Sequence, residues 1–450
     1  MASANERAEK AAVSGKGYER SQLAIAALMI LSNLFVGITF ACIVPFFPIE
    51  ARAKGLSTSQ VGLVIGILQL STFFISPVFG KYMVILGINR AFIGGLCLTS
   101  LCTMALGLSP YLPFGTPFFV GVLLLRVGQS IGNASYSTSA WALIGHLFPE
   151  RIVMFTALLE VAYGLGFTIG PVLGSILFEI GGFGLPLYSV GASFAFVLVP
   201  SAILFRSKYI TATGNQDVQS GTAEAEEVPR VLQLLAIPDL FLSVTSMFLN
   251  SVCWYFYEPS LTDYMATFNL KWSPSILSGF LMSIVSVVYI ISAPVWSFFV
   301  ERYLSDQMRP MMLMVSVGMA IVTLLMGPSP LLGLPRSFLI ITFAFGLLGF
   351  VAGIAYVPVF KWCIDAAKKK GLNGTSPGIC GCVSSFIQSA LSLGAFVATS
   401  LGGLSAQNLG FAWTATLVAG IQLIFIAVQI VYWLLQSRKS QRNDSIHPTA

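Results

Sequence analysis

Charge is what this chain has least of. Only 9% of its 450 residues are Asp, Glu, Lys or Arg, while 56% are hydrophobic. A soluble globular domain carries roughly a quarter charged residues, so that class is excluded. Histidine is nearly missing too: there are two, both outside the apolar runs. The seven cysteines, at 42, 97, 102, 253, 363, 380 and 382, fall mostly inside those runs, where Cys behaves as a small hydrophobe. Cys380-Gly-Cys382 lacks the two-residue spacer of a zinc or redox pair, so neither a metal site nor a disulfide framework is expected. Nucleophile–base pairs and phosphate loops are absent from the polar segments, which argues against an enzyme and against a cofactor.

What the chain has instead is long apolar stretches. A helix needs about 20 mainly apolar residues to cross roughly 30 Å of hydrocarbon. Windows of that size fall at 22–46, 60–80, 91–110, 117–142, 153–178, 186–205, 238–262, 275–300, 311–333, 337–360, 376–403 and 412–435. They are called spans one to twelve below. Residues 1–20 are polar and mixed in charge, and the first apolar run is too long for a signal peptide, so span one is expected to stay as an anchor.

Of the 24 Lys and Arg residues, 19 fall in segments on the side of the N-terminus and four (Arg52, Lys54, Lys271, Arg336) on the other. By the positive-inside rule both termini are cytoplasmic. The net charge of +6 therefore reflects topology, not a nucleic-acid surface. Asn133, Asn373 and Asn443 begin glycosylation sequons, but none falls in a lumenal loop on this topology.

The chain divides at the polar stretch after span six. The expected organisation is a tail at 1–21, a six-helix half at 22–206, a linker at 207–237, a second half at 238–435 and a tail at 436–450. Signatures recur in order in both halves. Val44-Pro45 answers Glu258-Pro259, and Pro77-Val78-Phe79-Gly80 answers Pro294-Val295-Trp296-Ser297. Gly170 to Ser175 answers Ala398 to Gly403, 228 residues later. An internal repeat of this kind is the architecture of alternating-access carriers with a site near the midplane. The fold class expected is an all-α membrane protein with twelve transmembrane helices in two six-helix pseudo-repeats.

Three ionisable residues interrupt the apolar spans: Arg126, Glu160 and Glu258. At membrane depth such groups usually mark a substrate or proton pathway, because leaving them unpaired in hydrocarbon is costly. Arg126 is a fixed cation, read either as a driver of proton release from a carboxylate or as a structural partner. A carboxylate alternating between an apolar surrounding and an arginine can take up and release a proton. Glu160, about ten residues into span five, is a candidate for that task, with a static Arg126–Glu160 pair as the structural alternative. Glu258, before Pro259, is a candidate acceptor for a cation. Trp254, Tyr255, Phe256, Tyr257 and Tyr264 crowd around it and offer ring faces to an ammonium, or simply pack. Glu50, Glu179 and Asp263 near the lumenal ends are read as an acidic vestibule or as solvated loop ends.

Arg126-Val127-Gly128-Gln129-Ser130-Ile131-Gly132 resembles the RxxQGxG motif of the major facilitator superfamily, with Ser130 in place of a Gly. Gly166, Gly170, Pro171 and Gly174 are similar to the span-five motif of its proton-coupled antiporters. Gly80, Gly87 and Arg90 resemble the loop motif after span two, while Val84 and Ile85 replace its usual Asp and Arg, the charges of its gating relay. Within the superfamily the chain resembles the vesicular amine transporters. Glu258-Pro259-Ser260-Leu261 is similar to their Glu-Pro-Ala-Leu, and Pro358 with Asp365 to their span-ten pattern. The span-one Asp of the monoamine carriers is missing, with Asn33 a turn away, and Gln388 stands where they have an Asp. Pro48-Ile49-Glu50-Ala51 with Lys54-Gly55, and Leu159-Glu160, resemble the vesicular polyamine branch.

The resemblance implies a proton-coupled antiporter for organic cations, polyamines such as spermine and spermidine, working by a rocker switch as a monomer in the bilayer of an acidic vesicle. It implies proton coupling through Glu160, Arg126 and Asp365. It places substrate at Glu258, Tyr257, Trp254, Asn33, Gln388 and Tyr356, with helix bending or close approach at Gly166, Gly170, Pro171, Gly174 and Pro259. A broad-specificity drug/proton antiporter at the plasma membrane fits the same motifs. A sensor without transport on this scaffold is the reading from another class, favoured by Val84 and Ile85 and opposed by the three buried charges.

Overall fold

The computed structural model describes residues 20–148, 152–206, 237–303, 307–356, 359–370 and 377–446. Most of the linker, Pro358 and the chain ends lie outside that set, as do the side chains of Val84, Ile85, Glu301, Tyr356, Cys380 and Cys382. The described residues are helical almost throughout. Eleven of their helices are long and apolar enough to cross a membrane. The twelfth, Pro238–Tyr255, carries buried Ser243, Ser246, Asn250 and Ser251 and packs against Pro377–Leu409. Its polar face is tolerated because it meets protein, not lipid.

Spans one and seven depart from a simple reading of the apolar windows. The first helix, Arg20–Cys42, stops before Pro45, and a second short helix, Phe47–Ala53, follows a turn. Likewise Pro238–Tyr255 stops before Pro259 and is followed by Leu261–Ala266. The windows 22–46 and 238–262 each merge a helix with its turn, and Pro259 stands in a break, not at a bend. A proline has no N–H for the helical ladder and clashes with the preceding turn. Val44, Phe46, Phe47 and Tyr257 keep the turns apolar and buried, so hydropathy does not register the interruption. Pro171 and Pro294, by contrast, sit within continuous helices, Ile152–Gly181 and Pro274–Tyr303.

Small residues set the helix contacts, as expected where close van der Waals approach drives packing. A Cβ on Gly166, Gly170 or Gly174 of span five would press on the backbone of span one at Leu34 to Cys42. In the second half, a Cβ on Gly402 would lie 2.6 Å from Phe256 O, and one on Gly394 2.6 Å from Phe248 O. Spans five and eleven thus pack on spans one and seven in the same way.

The two halves meet through the same equivalences. Gly62 of span two (Thr58–Leu86) abuts Thr399 and Gly403 of span eleven, while Gly279 of span eight abuts Pro171 and Ser175 of span five. Gly62 and Gly279 are 217 positions apart, like Pro77 and Pro294; Pro171 and Thr399 are 228 apart, like Ser175 and Gly403. The molecule is a twelve-helix bundle of two pseudo-repeated halves.

Candidate functional site

The contacts between halves gather toward one end, the end bearing the short helices 47–53 and 261–266. There Arg52 and Asp263 form an ion pair, Nη2 to Oδ2 2.7 Å, and Arg52 also reaches Thr58 and the carbonyl of Leu56. Thr262 donates to Pro45 O at 2.8 Å, and Ser175 to Ser275 O at 2.8 Å. Ser275 donates to Glu179 Oε1 at 2.8 Å, and Ser59 to Gln407 Oε1 at 2.7 Å. This end is sealed.

Behind the seal, between the halves, lies a cavity of about 450 Å³. Glu160, Tyr163, Gly164 and Phe167 line it from span five, Ser286, Tyr289, Ile290, Ala293 and Pro294 from span eight, and Gln388, Leu391, Ser392 and Ala395 from span eleven. Gln69 of span two and Trp254 and Tyr255 of span seven complete it. Helical spacing of three and four residues aligns each group on one face. Glu160 and Gln388 are exposed to this space.

A second recess of about 20 Å³ adjoins the first toward the seal. Glu258 is its carboxylate, and Ala41, Val44, Pro171, Tyr257, Met282 and Val285 enclose it. Phe167, Trp254 and Ser286 line both spaces and form the divider. Each divider ring is braced by a tyrosine of the larger cavity: Tyr163 lies 5.0 Å from Phe167, and Tyr289 5.7 Å from Trp254, centroid to centroid. Both tyrosines are within electrostatic reach of Glu160. Among the described residues no hydrogen-bond donor reaches the carboxylate of Glu160 or of Glu258.

Arg126 is 3% exposed, on span four (Thr116–Leu147). Its Nη1 donates to Gln129 Oε1 at 3.0 Å, and Gln129 Nε2 donates onward to Thr103 Oγ1 at 2.8 Å. Its Nε faces Val64 O at 3.4 Å. The carboxylate within its electrostatic reach is Glu258, with Cys42 beside it. The Arg126–Glu160 pair considered from their shared depth is therefore not formed. Depth along two helices places residues at one level but says nothing of which way each faces. Ser130, where the motif has Gly, fills its place with a bond of 3.0 Å to Thr72 Oγ1 and another to Leu68 O at 3.2 Å, tying span four to span two.

The other expected residues separate. Trp254, Tyr257, Glu258, Glu160 and Gln388 come together at the two spaces. Asn33 is half-buried on span one and lines neither; Asp365, half-buried on the helix Val359–Lys369, lines neither as well. Tyr356 ends the span-ten helix Phe338–Tyr356. Glu50 is half-buried on the short helix Phe47–Ala53. Asp263 and Glu179 do not stand in an open vestibule in this conformation, because each is bonded across the halves. Gln69, Tyr163, Phe167, Ser286 and Tyr289 were not singled out from the sequence. Their signal was there: Tyr163 and Phe167 lie three and seven residues from Glu160, on its own helical face.

Sequence comparison agrees with this architecture. The pattern of the Major Facilitator Superfamily matches residues 29–387. The chain belongs to that superfamily, a family of membrane transporters, and not to an enzyme family. It is 28% identical over 431 residues to the MFS-type transporter SLC18B1 of Mus musculus, covering 95% of this chain and 89% of the relative. The Homo sapiens protein of that name is 26% identical over 420 residues, covering 92% and 87%. The synaptic vesicular amine transporter of Mus musculus is 22% identical over 400 residues, covering 86% and 69%.

Proposed function

We propose that this transporter exchanges protons for organic cations, polyamines such as spermine and spermidine, by alternating access. The observation that carries the reading is the pair of carboxylates, Glu160 and Glu258, each without a hydrogen-bond donor among the described residues and set in adjoining compartments walled by aromatic rings. Ring faces add cation–π attraction to the charge of the carboxylates. A linear cation with several ammonium groups can use both compartments at once.

Coupling follows from charge. Carrying an uncompensated carboxylate through a closed, dehydrated state is costly. Glu160, with no cation within electrostatic reach among the described residues, must travel either with a proton or with an ammonium group, so one exchanges for the other. Glu160 reaches the larger cavity and is the proposed exchange site; Arg126 acts on Glu258, not on Glu160. The positive-inside bias supports cytoplasmic termini, with the cavity facing the cytoplasm and the seal facing the lumen of an acidic vesicle. The name of the synaptic vesicular amine transporter supports the vesicle and the amine.

Purified protein in liposomes, given an imposed pH gradient and offered spermine, spermidine, serotonin and a lipophilic cationic dye, tests the proposal. Accumulation of spermine and spermidine that stops when the gradient is collapsed is the expected result. Accumulation of the dye with polyamines ignored would instead support a broad-specificity drug antiporter.

A further inference from the structure

We propose that the recess at Glu258 is a subsite for an unsubstituted primary ammonium terminus, and that it sets the selectivity of the carrier for unbranched amines over N-methylated ones. This deepens the reading of the site as a cation-exchange pathway and rests on it.

The argument begins with size. A cavity needs about 10–15 Å³ by this measure to hold one water. The recess, at about 20 Å³, has room for one group of that size, which is also the size of a terminal –NH3⁺. Three methyl groups on that nitrogen would not fit. Nor can the walls yield easily: Val285 is 1% exposed, Tyr257 3% and Met282 7%, all packed into one continuous core. Tyr257 is further held by Phe345, with ring centroids 4.9 Å apart. Close-packed interiors resist even one added methylene.

The chemistry is equally selective. Glu258 has no hydrogen-bond donor among the described residues; the recess around it is lined otherwise by Ala41, Val44, Phe167, Pro171, Trp254, Met282 and Val285, with Ser286, which donates to Met282 O at 3.3 Å, as the one hydroxyl outside Tyr257. Arg126 supplies long-range compensation but lies beyond ion-pair distance. A primary ammonium brings three N–H donors and a charge to an acceptor that has none. A quaternary ammonium brings charge alone. Phe167, Trp254 and Ser286 border both spaces, so a chain attached to an ammonium in the recess leaves past them into the larger cavity. The rest of the molecule then lies in the larger cavity, where Glu160 takes a second charged nitrogen.

The test is competition against radiolabelled spermidine uptake in proteoliposomes. The competitors are unlabelled spermidine and its analogue with both terminal nitrogens trimethylated. The analogue should inhibit at least about tenfold more weakly, since a site built for N–H groups rejects ligands that lack them. Val285→Ala, and independently Met282→Ala should Val285→Ala fold poorly, should enlarge the recess and narrow that ratio severalfold. Glu258→Gln should weaken spermidine while leaving the weak inhibition by the analogue where it was. Equal inhibition by the two competitors in the unaltered protein would overturn the subsite while leaving cation transport intact. A ratio unmoved by both enlarging variants would also overturn it. Failure of the unaltered protein to take up spermidine under any gradient would overturn the transport reading, and the subsite with it.

Discussion

Arg52 and Asp263 clasp the two halves of the transporter at its sealed end, with Nη2 and Nε 2.7 and 3.2 Å from Oδ2. They stand on the short helices that follow the two proline breaks, so the pair exists only because both spans one and seven are interrupted. In an alternating-access cycle this end must open, and the pair must part.

Neutralising the clasp should therefore favour the state open at this end. The side chains are 33% and 40% exposed, so the pair contributes only a modest amount, about 0.2–1 kcal/mol. Arg52→Gln should raise alkylation of a cysteine introduced at Ser286, by a reagent added on the side of the seal, by up to roughly fivefold. The exchange Arg52→Asp with Asp263→Arg should bring it back toward the unaltered rate. Equal labelling in all three proteins would remove the pair from the gate.

Gly62 and Gly279 should respond alike, because they occupy equivalent places in the two halves. A Cβ at Gly279 would come within 2.6 Å of Pro171 O, and one at Gly62 would collide with Thr399 O. Backbone cannot rotate away, so each Gly→Ala change should cost about 1–3 kcal/mol by overpacking. Thermal unfolding in detergent should show both losses. Gly94, with no atom near its missing Cβ, should tolerate alanine far better.

Arg126 should couple energetically to Glu258 and not to Glu160. Removing a buried charge leaves its longer-range partner less compensated, which is costly in a low-dielectric interior. Arg126→Gln should destabilise strongly, and adding Glu258→Gln should recover a part of that loss. Arg126→Gln with Glu160→Gln should be additive within about 0.5 kcal/mol, as for separate sites. Thermal stability of the single and double variants checks this; strong coupling to Glu160 would contradict the arrangement.

The helices were legible in the sequence because about twenty consecutive apolar residues match the thickness of the hydrocarbon layer and exceed what a soluble core helix uses. The repeat was legible at Pro77 and Pro294, and the structure extends it to Gly62 and Gly279. Two features were hidden. The break at Pro45 and Pro259 was obscured because Phe46, Phe47 and Tyr257 are as apolar as the helices around them. The partner of Arg126 was hidden because Glu258 is 132 residues away and depth does not fix the facing direction. The same limit concealed Tyr289, which reaches the site from another helix, whereas Tyr163 and Phe167 could have been found from Glu160 by spacing alone.

The most direct test of the account concerns Glu160. In proteoliposomes, Glu160→Gln fixes the side chain in a neutral form that can neither release a proton nor pair with an ammonium by charge. Uptake of labelled spermidine against a concentration difference, driven by an imposed pH gradient, should fall to background. Gradient-free exchange of labelled for unlabelled spermidine, held by Glu258, should persist in the same vesicles. Gradient-driven accumulation at the unaltered level by Glu160→Gln would contradict the proposed coupling.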